Sequence, residues 1–148
     1  RLYNLRGEGK KTPGWKFKTL SNGVSIQHLF HLRVGQSDYI YAGCSDGSVK
    51  LLKRNGQIRG STSVRVNPTF TPAIRLSSTI GKSAVLFIDE EGWVQERTFA
   101  DAKYVGMSGL TKAEKVSLID MDGDGVEEVV TELNGVRSVF NSRNEKIN

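Results

Sequence analysis

Cysteine, histidine and proline are scarce in this chain of 148 residues, which has one, two and three of them respectively. The single cysteine, Cys44, excludes an intrachain disulfide framework and a Cys-x-x-Cys metal site, and its alternating neighbours predict a buried structural thiol. His28 and His31 lie three residues apart in a predicted strand, so they point to opposite faces and are not expected to share a metal. No apolar run approaches the length of a membrane span.

Several sequence signatures of catalysis are missing as well. The chain has no H-E-x-x-H, P-loop or G-x-G-x-x-G motif. Residues 43–47 fit G-x-S-x-G, but a predicted strand follows them rather than the helix that a nucleophile elbow needs. The acidic run Asp89-Glu90-Glu91 would suggest glycoside hydrolysis only if two carboxylates converged in a cleft. We therefore expect residues 1–148 not to be an enzyme. Three classes remain: a non-catalytic scaffold or binding module, a polyanion- or nucleic-acid-binding protein, and a non-catalytic part of a larger enzyme.

The net charge of +5 is unevenly spread along the chain. Residues 1–75 carry thirteen Lys and Arg against three Asp and Glu, and residues 106–148 carry five against eight. The basic half could attract phosphates, acidic glycans or an anionic surface, or it could be a solvated face that balances the acidic half. Nucleic acid is the less expected partner, because the basic residues are spread over strand faces and tips rather than grouped with exposed aromatic residues.

Sixteen glycines punctuate short alternating segments, which indicates strands joined by tight turns. Asn-Gly and Asp-Gly pairs between apolar runs are strong hairpin signals, because a type I′ turn needs positive φ at both central residues. Such pairs stand at 22–23, 46–47, 55–56 and 134–135. No segment keeps helical periodicity over ten residues or more, so we expect an all-β fold with little or no helix.

The turns repeat with a long period. Gly47, Gly92 and Gly135 lie forty-five and forty-three residues apart, each between two apolar strands. This predicts three repeats, at about 15–60, 61–105 and 106–148, each with about four short antiparallel strands. Such repeats are typical of β-propeller blades, with another all-β arrangement as the alternative. The predicted strands are 15–19, 26–32, 39–42 and 49–52; 62–66, 73–76, 84–88 and 94–97; and 104–107, 116–119, 128–131 and 136–140.

Residues 118–130 read Leu-Ile-Asp-Met-Asp-Gly-Asp-Gly-Val-Glu-Glu-Val-Val. This segment resembles the D-x-D-G-D-G-x-x-[DE] loop of bacterial β-propellers of the integrin-α-like FG-GAP or VCBS type. Segments 4–8, 13–15 and 54–60 resemble the links between blades of that family. The resemblance implies a propeller fold. Of the three classes above, we expect the scaffold or binding module, stabilised by calcium and directed at a protein or glycan ligand, and we expect the repeats to be part of a larger propeller. We expect an extracellular, periplasmic or cell-surface location. The equivalent segments 31–39 and 75–83 lack the Asp ladder and are not expected to bind metal.

The Asp-rich loop is the candidate metal site. Asp120, Asp122 and Asp124 occupy alternate positions and supply hard oxygen ligands suited to Ca²⁺. The Val126 carbonyl and Glu128 would complete the shell, and position 12 is not Glu, so the loop is not an EF-hand. We expect the ion to be structural, because no open ligand position accompanies it. The alternative is an acidic, exposed hairpin without a metal.

Three blades span less than a full circle at the wedge angle of typical propellers. The end blades would then expose apolar faces that another sheet must cover. We therefore expect either association of two copies or an open arc with adhesive ends. Trp15 and Trp93 are interpreted as anchors of the blades rather than as platforms for sugars.

Overall fold

The structure is a computed structural model that describes residue 10 and residues 13–17, 20–60 and 62–148. It contains three antiparallel sheets, each with three strands in sequence order. Segment 4–8, interpreted above as a link, lies outside the described residues. Sheet 1 comprises β1 (Ile26–Val34), β2 (Ser37–Cys44) and β3 (Val49–Lys53); sheet 2 comprises β4 (Ala73–Arg75), β5 (Ala84–Ile88) and β6 (Val94–Thr98); sheet 3 comprises β7 (Lys115–Ile119), β8 (Glu128–Leu133) and β9 (Val136–Phe140).

The expectation of an all-β fold is confirmed. The single helical element in the described part of the chain is a short 3₁₀ turn, Ile80–Lys82. No helix formed by the described residues is long and apolar enough to span a membrane.

The Asn134-Gly135 pair joins β8 to β9 with φ values of 51° and 76°, and Leu133 pairs with Val136 across it. This is the two-residue turn with positive φ that the sequence predicted.

Sheet 2 lies between sheets 1 and 3. All five residues of β5 are buried, and because side chains alternate along a strand they face both neighbours. Val85 and Phe87 belong to the cluster shared with sheet 1, whereas Leu86 and Ile88 belong to the cluster shared with sheet 3. The first cluster also contains Leu32, Val34, Tyr41, Val49, Leu51, Val64, Val66, Ile80 and Phe99. The second also contains Val94, Met107, Ala113, Val116, Val129 and Phe140.

The outer face of sheet 1 is covered by residues from the N-terminal part of the chain. Trp15 and Phe17 are buried against Leu52, and the Lys16 N–H donates to the Asn55 carbonyl at 2.9 Å. The Trp15 ring lies so close to Gly56 that a Cβ there would be 2.7 Å from it, so this position requires glycine. Trp15 is thus an anchor, as expected. Part of the apolar face expected to be open at this end is therefore covered, whereas Leu29 on the same face is 52% exposed.

The fourth strand predicted ahead of each triplet is not formed in the described residues. Segments 62–66 and 104–107 contain no strand, nor do residues 15–17, while 18 and 19 lie outside the described part. Arg65, Tyr104 and Lys112 instead make isolated bridges back to the preceding sheet, with Ser48, Arg97 and Trp93. At 104–107 the reason is local, because Gly106 has φ 54° and the Met107 N–H donates to the Glu96 carboxylate.

Tyr41 lies at the centre of the cluster between sheets 1 and 2, fully buried. Its ring contacts those of Phe30 and Phe99, at centroid distances of 5.5 and 6.1 Å. Its hydroxyl has no hydrogen-bond partner in the described part of the chain. Burial raises the pKa of Tyr41 well above its ordinary value, so the hydroxyl stays neutral. An enclosed hydroxyl without a partner is destabilising.

We therefore expect Tyr41→Phe to stabilise the protein by about 1 kcal/mol, a rise in Tm of about 3 °C for a chain of this size. Thermal unfolding followed by circular dichroism measures it. Tyr39→Phe on the same strand is the control. Tyr39 is half-buried, and its hydroxyl is not one of the buried polar groups that lack a hydrogen-bond partner. A fall in Tm for Tyr41→Phe would contradict the prediction.

Asp89 organises the turn between β5 and β6. Its Oδ1 accepts the N–H groups of Glu91 and Trp93, both at 2.9 Å, and its Oδ2 accepts the Gln95 amide at 2.8 Å. Partial burial by itself raises the pKa of Asp89, but these hydrogen bonds outweigh it and hold the pKa below the ordinary value of 3.8. The ionised carboxylate therefore stabilises the folded state.

Because the pKa is lower in the folded state, this stabilisation is fully present above the ordinary pKa. It is lost as the pH falls through the folded pKa. We expect Asp89→Asn to have a lower Tm than the parent at neutral pH, and the gap to close below about pH 4. Thermal unfolding of both proteins at a series of pH values between neutral and acidic measures this difference in Tm. A gap that widens on acidification would show that the charged form is not the stabilising one.

Candidate metal centre

The loop between β7 and β8 brings three carboxylates together. Oxygens of Asp120, Asp122 and Asp124 all lie within 4.8 Å of one another, and the three side chains are exposed. Two oxygens bound to one Ca²⁺ at the usual ligand distance lie at most about 5 Å apart. The three carboxylates therefore fit the coordination shell of a single hard cation in both spacing and chemistry.

Hydrogen bonds within the loop explain why these side chains converge. Both oxygens of Asp120 accept backbone N–H groups, from Gly123 at 2.7 Å and from Gly125 at 2.9 Å. These glycines have φ values of 77° and 85°, a conformation that other residues rarely adopt. Oδ1 of Asp122 accepts the Asp124 N–H at 3.1 Å. Oδ1 of Asp124 accepts from Val126, and Oδ2 of both residues stays outside these bonds.

Glu128 plays a different part from the three aspartates. It is the first residue of β8 and is buried, and its Oε2 accepts the Met121 N–H at 2.8 Å. Its carboxylate is not among those grouped within 4.8 Å. The hydrogen bond from the Met121 N–H to Glu128 holds the entry of the loop close to the start of β8. Glu128 and the Val126 carbonyl as metal ligands stay predictions.

A partly buried ion pair in sheet 2 contacts the loop from outside. The Arg75 Nε donates to Glu96 Oε1 at 2.8 Å, and Arg75 Nη1 donates to the Glu127 carbonyl at 3.4 Å. Glu96 is 3% exposed, and its Oε2 accepts the Met107 N–H at 3.1 Å. Arg75 therefore links the middle sheet to the Asp-rich loop.

Sequence reasoning missed Arg75 and Glu96. They are twenty-one residues apart on strands that are not direct neighbours, since β5 lies between β4 and β6. One signal was present in the sequence. Glu96 shares a strand face with Val94, which is fully buried, so alternation directs a carboxylate into the core. A carboxylate in that position needs a cation or N–H partner.

The other residues considered from the sequence do not join the metal centre. His28 Nε2 is hydrogen-bonded to the Pro68 carbonyl at 3.1 Å, whereas His31 Nε2 contacts Asp38 at 3.0 Å, so the two histidines have separate partners. Cys44 is fully buried, as expected. Among the described residues, the aspartate trio is the one group of three or more potential ligands that meets in space.

Comparisons with protein-family models, with curated proteins and with solved structures gave no match for this chain. The resemblance to FG-GAP or VCBS repeats therefore rests on residues 118–130, on the link-like segments 4–8, 13–15 and 54–60, and on the repeat period.

Replacing Glu96 by Ala should destabilise the protein by about 3 kcal/mol, because Arg75 and the Met107 N–H lose their buried acceptor. This loss of unfolding free energy is at the lower end of the range for removing one partner of a buried ion pair. The Arg75 side chain is 30% exposed, so water can solvate it in part once Glu96 is gone. Denaturant unfolding measures the loss. Glu90→Ala, at an exposed position in the same sheet's turn, is the control with little expected effect. Equal stability of the two variants would contradict a structural role for the pair.

Proposed function

We propose that this chain is a non-catalytic β-sheet module, built from propeller-like blades, that is stabilised by a calcium ion and presents its surface to a protein or glycan ligand. The observation that carries the proposal is the convergence of Asp120, Asp122 and Asp124 within 4.8 Å. The ligands would be these three carboxylates, joined by the Val126 carbonyl and Glu128.

Three features of the fold support blade-like packing. The sheets have the same strand order, and the middle one packs on both neighbours through its two faces. Beyond the last strand of each sheet an isolated bridge adds a rudiment of a fourth strand, at Ile58, Tyr104 and Lys146. Four-stranded sheets packed in sequence order are what a propeller requires.

A bound Ca²⁺ would supply positive charge among carboxylates that otherwise repel one another. The chain's own part is to hold the loop in shape. Asp120 binds the backbone of Gly123 and Gly125, and Glu128 binds the Met121 N–H. The loop is thereby tied to the two strands that it connects. Loop shape and ligand spacing together suit a structural ion.

The alternative of polyanion binding by the basic half receives less support from the contacts. Arg33 lies 2.9 Å from Asp38, and Arg75 lies 2.8 Å from Glu96. Arg65 is within 4.0 Å of Asp46. Three arginines of residues 1–75 thus have acidic neighbours in the chain itself, which reduces the charge available to an outside polyanion.

We expect Ca²⁺ to raise the Tm, because a ligand that binds only the folded state stabilises it by mass action. At free Ca²⁺ about a hundredfold above Kd the gain is about 2.7 kcal/mol. Differential scanning calorimetry with Ca²⁺ and with chelator measures it. Asp122→Asn should abolish most of the shift. Glu127→Gln, an acidic side chain of the same loop outside the trio, is the matched control and should keep it.

An unchanged Tm in millimolar Ca²⁺ for the parent chain would overturn the proposal. So would a shift that Asp122→Asn retains in full, since the effect would then arise elsewhere.

A further inference from the structure

We propose that Asn22 is a site of spontaneous deamidation in the folded protein, and that the fold protects the equivalent Asn55. The chain has three Asn-Gly pairs within the described residues, at 22–23, 55–56 and 134–135. The three are chemically alike but lie in different surroundings. The fold therefore makes one pair reactive and shields another.

The reaction needs only the side chain, the following backbone nitrogen and water. The Gly nitrogen attacks Cγ of the Asn side chain and forms a new C–N bond. The Cγ–Nδ2 bond breaks, and the side-chain nitrogen leaves as ammonia with the proton that the Gly nitrogen gives up. Water then opens the cyclic imide at either carbonyl to give aspartate or isoaspartate. Glycine favours the step because it has no side chain to block the attack and adopts many backbone conformations. The nitrogen must be free to approach, so hydrogen bonds and burial slow the reaction.

Asn55 is held on several sides. Its Oδ1 accepts the Gln57 N–H at 3.0 Å, and its carbonyl accepts the Lys16 N–H at 2.9 Å. The attacking nitrogen of Gly56 donates to the Lys53 carbonyl at 2.8 Å. Gly56 is itself buried beneath the Trp15 ring. Reaction here requires several contacts to open together.

Asn22 has none of these restraints among the described residues. Its side chain makes no hydrogen bond to the described residues, and both Asn22 and Gly23 are exposed. No heavy atom lies within 4 Å of the position a Cβ would take on Gly23. The turn stands ahead of β1 rather than between paired strands, and one backbone bond, from the Val24 N–H to the Ser21 carbonyl at 3.1 Å, spans it.

Asn134 is intermediate. It is exposed, but it sits in the two-residue turn with φ 51°, directly between β8 and β9. Its backbone N–H donates to the Glu114 carboxylate at 3.3 Å. The ladder on both sides resists the backbone rotation that the attack needs. Asn67 lies outside the series, because the following Pro68 has no N–H to act as nucleophile.

The test is incubation of the folded protein at mildly alkaline pH, followed by peptide mapping with mass spectrometry that separates aspartate from isoaspartate. We expect Asn22 to convert first and Asn134 more slowly. Asn55 should convert at least roughly tenfold more slowly than Asn22, since each hydrogen bond that must open lowers the reactive population several-fold. Isoelectric focusing should show a new acidic species that Asn22→Gln largely removes and Asn55→Gln does not.

Incubation in denaturant supplies the control for intrinsic reactivity. There the three sites should react at rates within about a factor of three of one another, because the protection belongs to the fold. Conversion of Asn55 as fast as Asn22 in the folded protein would overturn the proposal. It would also be overturned if Asn134 were the fastest of the three to convert in the folded protein, or if Asn22 reacted in denaturant but not in the folded state.

Discussion

The buried carboxylate of Glu96 is the group on which the alignment of the middle sheet with the Asp-rich loop of the third sheet depends. Enclosing a charge is costly unless hydrogen bonds and an opposite charge replace water. Arg75 and the Met107 N–H supply both. Gly106 must then stay without a side chain, since a Cβ there would lie 1.9 Å from Glu96 Oε2. One carboxylate thereby fixes the path of the chain after β6 and aims Arg75 at the carbonyl of Glu127.

Apolar packing and polar contacts contribute differently to this architecture. The two clusters on either side of β5 supply most of the driving force, but hydrophobic contact is non-directional and tolerates sliding. Directional contacts remove that freedom. The Arg75 side chain bonds sheet 2 at Glu96 and the loop of sheet 3 at Glu127, while the Val66 N–H donates to the Gly47 carbonyl in sheet 1 at 2.9 Å. The sheets are driven together by burial and aligned by a few hydrogen bonds.

How far sequence could predict this structure depended on the distance between partners along the chain. The strand at 84–88 and the aspartate trio are encoded by neighbouring residues, so alternation and spacing were enough to predict them. The prediction of the fourth strands failed because their N–H groups have other acceptors, such as Glu96 for Met107. The pairing of Arg75 with Glu96 could not be predicted because the two residues are far apart along the chain. Only the register of β4, β5 and β6 brings them together.

The two outer faces of the stack bear on whether copies associate. At sheet 1, Trp15 and Phe17 cover Leu52. At sheet 3, alternation turns Lys115, Glu132 and Arg137 away from the core. Glu132 lies 3.4 Å from Lys115 and 3.5 Å from Arg137, and hydrogen bonding and charge from these residues, Lys115 foremost, hold the pKa of Glu132 below its ordinary value.

Another sheet packing on this face would have to desolvate those charges, which costs more than apolar contact returns unless each is paired again. Ile119 lies on the same face and is 45% exposed, so a partner of sheet 3 would meet apolar as well as charged groups, and self-association of the chain stays a prediction.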